Sequence, residues 1–209
     1  MRSLLRLKRV IILSIRPHSI RQKPRWVALS AELDIDRADI FVTSKLWVSD
    51  TSYDGARRAY EKSLARTGLD YLDLYLIHNP MNDVFGAWRA LSELLQDGAV
   101  RAIGASNFSR AQLEDFISFS EVVPQVNQVE INVLHQQIED VEYTAEHGIA
   151  AQAWAPFAHG KSVPQVIERW LVQRGIALIP KSTTPERIVQ NADIWDLVWL
   201  TARWRLCAL

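Results

Sequence analysis

A single cysteine, Cys207, among 209 residues leaves no partner for an intrachain disulfide and suits a reducing cytoplasm. No apolar run approaches the ~20 residues a membrane helix needs, so a soluble, cytoplasmic body with no membrane partner is expected. The sequence has no Gly-x-Gly-x-x-Gly, which removes support for a Rossmann dinucleotide site, and no metal site is expected. Residues 1–31 contain neither an acid nor a tyrosine.

The formal charge of zero conceals that last absence. Eight of the 24 Lys and Arg residues fall within 1–31, leaving 16 basic residues against 24 acidic ones in the remainder. This basic leader, with Val10–Ile11–Ile12–Leu13 as a short apolar core, imitates a transit or signal sequence. The run is too short, however, and Pro17 follows closely. Without interleaved aromatics to stack on bases, the leader gives no support to nucleic-acid binding.

What is present is an alternation. Strand-like runs near 40–46, 73–78, 101–106, 126–131, 149–155 and 176–181 alternate with amphipathic stretches near 54–67, 84–97, 109–119, 136–147, 164–174 and 185–192. Gly68, Gly98 and Gly148 stand where helix C-termini are expected. Six βα units follow, short of the eight in a complete parallel barrel, which usually needs about 250 residues. The length and the 48% hydrophobic content allow one real core.

Lys45 closes one strand-like run, Ile40–Leu46, and His78 closes the next, Asp73–His78. In a parallel barrel, functional side chains at strand C-termini meet in one active site, so the pair points to catalysis. Taken alone, Lys45 could be a strand-end surface lysine and His78 a core histidine. The surrounding motifs are Thr43–Ser44–Lys45–Leu46–Trp47, Gly68–Leu69–Asp70–Tyr71–Leu72–Asp73–Leu74, Ala102–Ile103–Gly104–Ala105–Ser106–Asn107–Phe108, Pro124–Gln125–Val126–Asn127–Gln128 and Ile179–Pro180–Lys181–Ser182. In order and spacing they resemble the aldo-keto reductases, from about Trp26 to Asp196. The resemblance implies an incomplete (β/α)8 TIM barrel with its first βα units missing or altered. It also suggests a gap of some fifteen residues before Ser162.

The resemblance further implies a catalytic tetrad in which Lys45 lowers the pKa of a tyrosine, an aspartate pairs with the lysine, and His78 orients the carbonyl. The tyrosine and aspartate should lie upstream, in the leader that has neither. Tyr53 is a remote substitute, and Asp50 and Asp54 read as ordinary loop and helix-start acids. The genetic code offers an account of the loss. Ser14–Ile20 can be encoded so that reading one base upstream gives Ile-Asp-Thr-Ala-Ala-Gln-Tyr, and the same offset turns Trp26–Ser30 into Val-Gly-Arg-Ala-Leu. A shifted frame also makes Trp199–Arg205 resemble the family's final helix.

For the cofactor, the resemblance implies that Ser106, Asn107 and Gln128 hydrogen-bond a nicotinamide carboxamide while Trp154 stacks on the ring. Lys181, Ser182 and Thr183 precede Thr184 and Pro185, a helix start, and Arg187 falls in its first turn. Exposed amides, a point charge and a bidentate guanidinium suit a ribose 2′-phosphate, favouring NADP(H) over NAD(H). By resemblance Asn191 approaches the adenine, and Trp47, Asn79 and Phe157 line the substrate mouth.

The expected organisation is therefore an atypical basic leader over 1–31, a reductase barrel over 32–196 and an atypical tail over 197–209. The expected activity is NADPH-dependent reduction of a small carbonyl substrate by a monomer, with the tetrad's Asp and Tyr missing. The alternatives are a non-catalytic NADP(H)-binding or regulatory module, or an inactive gene remnant whose sheet has open edges.

Overall fold

The computed structural model describes the backbone of Ile11–Ile15 and residues 36–158, 164–180, 182 and 184–196. Seven strands are present among these: β1 (Ile11–Ile15), β2 (Ile40–Leu46), β3 (Leu74–Ile77), β4 (Ile103–Ser106), β5 (Val126–Glu130), β6 (Ala150–Trp154) and β7 (Ala177–Leu178). The helices are α1 (Tyr53–Thr67), α2 (Val84–Gln96), α3 (Arg110–Phe119), α4 (Ile138–Glu146), α5 (Pro164–Gln173) and α6 (Pro185–Ala192). The chain divides into two compact units, one running to Ser106 with Glu114–Pro124, the other formed by Asn107–Leu113 and the residues from Gln125 onward.

Helix boundaries follow local chemistry. Ser52 Oγ accepts from the Gly55 amide to start α1, and Asp83 Oδ1 accepts from Gly86 to start α2. Gly68 ends α1 at φ 70°, a left-handed conformation in which a Cβ is penalised. β7 is shorter than the run near 176–181 suggests, and α4 starts two residues late because an Asn132–His135 turn precedes it.

In the first unit the strands are parallel neighbours, with Lys45 opposite Leu76 and Leu76 opposite Gly104. β1 joins them, Ile11–Ile15 pairing in register with Ile40–Ser44. The sequence gives the run only as a leader's apolar core, and the backbone places it in the sheet. Side chains alternate along a strand, so Lys45, Leu76 and Gly104 share one face while Ser44, Tyr75 and Ile103 share the other. Tyr75 and Tyr60 meet edge to face at 5.9 Å on that second face, and Trp88 packs edge-on against Phe116 at 5.2 Å.

The strand starts are locked by one carboxylate. Asp73 is buried; its Oδ2 accepts from the Val42 amide at 2.8 Å and from Arg37 at 2.7 Å, and its Oδ1 accepts from Arg101 at 3.1 Å. Both guanidinium groups also lie over the Tyr71 ring, at 3.9 and 4.4 Å from its centre. The motif around Asp73 thus serves register, joining β2 to β3 through side chain and backbone together.

In the second unit β5, β6 and β7 are also parallel, Gln128 facing Gln152 and Ala153 facing Leu178. Ile131, Ala151, Ala153, Ile167, Trp170, Leu171 and Ile176 form its apolar cluster.

Replacing Asp73 by asparagine removes the counter-charge of two guanidinium groups and turns one of the two acceptor oxygens into a donor NH2. Asp73→Asn is expected to cost about 3 kcal/mol in urea unfolding. Arg101→Ala, whose side chain is 55% exposed, should cost less than about 1 kcal/mol. Equal losses for the two variants would contradict the clamp.

Candidate active site

The first unit carries the side chains that the sequence singles out for catalysis. Lys45 and the positions two residues beyond Leu76 and Gly104, namely His78 and Ser106, lie on the same sheet face at the strand C-termini. Lys45 Nζ donates to Ser106 Oγ at 3.2 Å across β3. Ser106 is fully buried, so the ammonium is seated against a fixed hydroxyl. The Ser106 hydroxyl assigned to the cofactor by resemblance is therefore also an anchor for Lys45. The His78 amide donates to the Leu46 carbonyl at 3.1 Å, and its ring lies 4.8 Å from Trp47, tilted by 51°. Trp47 and Asn79 flank this cluster in sequence, both half-buried.

Tyr53 stands apart from it. Its hydroxyl donates to Glu93 Oε2 at 2.7 Å between α1 and α2, where Arg57 reaches the same oxygen. The hydrogen bond to the Glu93 carboxylate, first, and partial burial, second, hold the phenol above its ordinary value. That is the opposite of what a proton donor for carbonyl reduction needs. Tyr75 is equally unsuited, being fully buried on the helix-facing side with its phenol pushed up by burial.

The second unit gathers amides. Asn107 occupies the left-handed region at φ 62°, which asparagine tolerates better than most residues. Its amide donates to the Gln128 carbonyl at 2.9 Å, and its Oδ1 accepts from Trp154 Nε1 at 2.9 Å. Gln128 Nε2 donates to Gln152 Oε1 at 2.6 Å, both side chains being buried. The Trp154 ring is thereby held in one orientation at the end of β6, and Ala155 follows at φ 48°, a strained turn out of the strand. Phe157 is half-buried just beyond. Sequence reasoning missed Gln152, which is silent as a motif but is Gln128's cross-strand partner.

At α6, Thr184 takes the N-cap position without using its side chain; Ser182 Oγ instead accepts from the Thr184 amide at 3.1 Å. Arg187 is exposed in the first turn and Asn191 half-buried in the last. Lys181 and Thr183 lie outside the described residues. So do most of the leader, the segment suspected of a gap and the tail from 197. No helix among the described residues is long and apolar enough to cross a membrane, and no cluster of metal-ligating side chains occurs among them.

The family model for the aldo/keto reductase family matches residues 26–162. The chain belongs to that family. It is 44% identical over 182 residues to glyoxal reductase of Bacillus subtilis, covering 79% of this chain and 66% of that enzyme. Identity to morphine 6-dehydrogenase of Pseudomonas putida is 39% over 194 residues, again 66% of the relative and 78% of this chain. The chain thus spans just under two thirds of the length of these relatives. Among solved structures it is similar to an aldo/keto reductase from Brucella melitensis, with a TM-score of 0.81, 36% identity and coverage of 97% of this chain and 85% of that one. A Bombyx mori aldo-keto reductase in complex with NADP matches with a TM-score of 0.81, 30% identity, and coverage of 87% and 71%. The fold class is accordingly the incomplete (β/α)8 barrel of these reductases.

The Asn107 geometry predicts an ordered loss. Asn107→Ala should destabilise the chain by about 2 kcal/mol, combining the left-handed penalty with a lost hydrogen bond. Asn107→Gly keeps the backbone allowance and should cost about half as much in guanidinium unfolding. Glycine proving as costly as alanine would mean that φ plays no part.

Proposed function

We propose that this chain is built for NADP(H)-dependent reduction of a small aldehyde or ketone, working as a monomer, and that it keeps cofactor recognition while lacking the usual proton donor. The observation carrying this reading is the Lys45 ammonium seated on Ser106 at 3.2 Å, on the sheet face shared by His78. A cation and an imidazole at adjacent strand ends suit a carbonyl oxygen that becomes negative as it is reduced.

The donor set of the second unit fits a nicotinamide cofactor: the Asn107 and Gln128 amides match a carboxamide, and the Trp154 ring is held by its indole N–H. Ser182, Arg187 and Asn191 would hold the adenosine end, with the exposed Arg187 reserved for a 2′-phosphate; Lys181 and Thr183 join them in the resemblance. When bound, the cofactor supplies the hydride. His78 would orient the carbonyl and Lys45 would lower its oxygen's energy. The remaining task is delivery of one proton to that oxygen, and neither Tyr53, committed to Glu93, nor Tyr75, buried, is arranged for it. Losing general-acid help lowers turnover by typically about 10²–10⁴-fold.

A second reading, a binder that does not turn over, is favoured by one observation: residues 1–31 contain neither Asp nor Tyr. The two readings share the cofactor and differ in rate.

Tryptophan quenching by NADPH is expected to show saturable binding that weakens in high salt and about tenfold in Arg187→Ala, with NADH little affected. Equal affinity for NADH and NADPH in the wild-type chain would remove the phosphate assignment. For catalysis, NADPH oxidation with a reactive small aldehyde is measured for three chains: as written, with the alternate frame restored through residues 14–30, and restored with Lys45→Met. Only the second is expected to turn over efficiently. A competent rate from the chain as written, unchanged by Tyr53→Phe, would show that another group donates the proton.

A further inference from the structure

Two buried carboxyl groups stand in opposite surroundings. Asp73 has two guanidinium groups and a backbone amide. Glu168, in the middle of α5, is 0% exposed, and neither of its oxygens has a hydrogen-bond partner. The buried positions of α5 are Ile167, Glu168, Trp170 and Leu171, so the acid occupies a slot on the helix's core side. Ile167, Trp170 and Leu171 belong to the second unit's apolar cluster.

Among the described residues, the charged groups around α5 do not offer it a counter-ion. α5 packs on β7 and α6. β7 has no ionisable residue, and α6 carries Glu186 and Arg187, both exposed. Arg169, the next residue, has its guanidinium near the Trp195 ring at 5.9 Å. Arg174 stacks on Trp170 at 4.7 Å and donates to the Gln136 carbonyl. α4, whose Val141 packs against the same cluster, brings Glu139, Asp140, Glu142 and Glu146, all acids.

We propose that Glu168 is a proton-operated catch in α5: protonated, it serves as a core side chain, and on releasing its proton it drives local opening of the helix from β7 and α6. Burial supplies the physical reason, raising the carboxyl from 4.5 to about 8. The sign follows. Between those values an opened helix binds one proton fewer than the closed one, so the closed state loses stability as pH rises, and the loss levels off above about 8. α6 carries Arg187 and Asn191, so opening would also disturb the phosphate-side helix; that consequence alone rests on the cofactor reading.

Amide hydrogen exchange of the full chain between pH 5.5 and 7.5 tests the catch without cofactor or activity. When closing is fast, intrinsic exchange contributes about tenfold per pH unit and proton-linked opening another factor of about ten. The amides of Ile167–Leu171 should therefore show a log-rate slope of about two in the wild-type chain, and about one in Glu168→Gln and Glu168→Leu. A slope of one in the wild type, or of two in a variant, overturns the proposal. So does exchange of the β3 amides at the same rate as those of α5, which would make the opening global. Leucine suits an apolar slot even if glutamine impairs folding, and failure of both variants to fold would equally refute the catch.

Discussion

The alignment of Lys45 with Ser106 depends on a carboxylate at the far end of their strands. Asp73 touches no residue of the candidate site, yet by accepting from the Val42 amide it sets which residue of β2 lies beside which residue of β3. Strand pairing is periodic, and a slip of one residue turns every side chain to the opposite face. With the start of β3 fixed, Lys45 comes level with Leu76, and the Lys45–Ser106 bond across β3 follows from that alignment. Two arginines and a tyrosine ring protect the carboxylate that holds this arrangement.

Most of the fold was legible because its signals are local. The strand near 40–46 and the helices near 84–97 and 185–192 announce themselves through apolar periodicity and flanking Ser, Asp or Gly, and their observed limits agree closely. β7 was read too long because an apolar run continues past the two residues that pair. β1 was missed as an element because the Arg and Lys around Ile11–Ile15 dominate its composition, whereas pairing depends on a neighbour 29 residues away. Gln152 could not be found at all, since its role exists only when β6 lies beside β5.

The two units differ in how their polar groups are satisfied. In the second, the Trp154 indole N–H donates to the Asn107 side chain, the Asn107 backbone amide to the Gln128 backbone carbonyl, and the Gln128 side chain to Gln152. These hydrogen bonds fix the orientation of the Trp154 ring and of the Gln128 side chain. In the first, the Lys45 ammonium is anchored at the Ser106 hydroxyl and the His78 imidazole is packed against the Trp47 indole.

β1 carries a wider implication. Its five residues pair with β2 through amides and carbonyls, groups that every non-proline residue possesses. Backbone pairing of this kind asks first that a segment can extend. Selection for a stable scaffold and selection for a working reaction centre can therefore part company in this region of the chain. A stretch that can extend keeps its seat whichever reactive groups it does or does not carry, and no measurement of folding alone would register the difference.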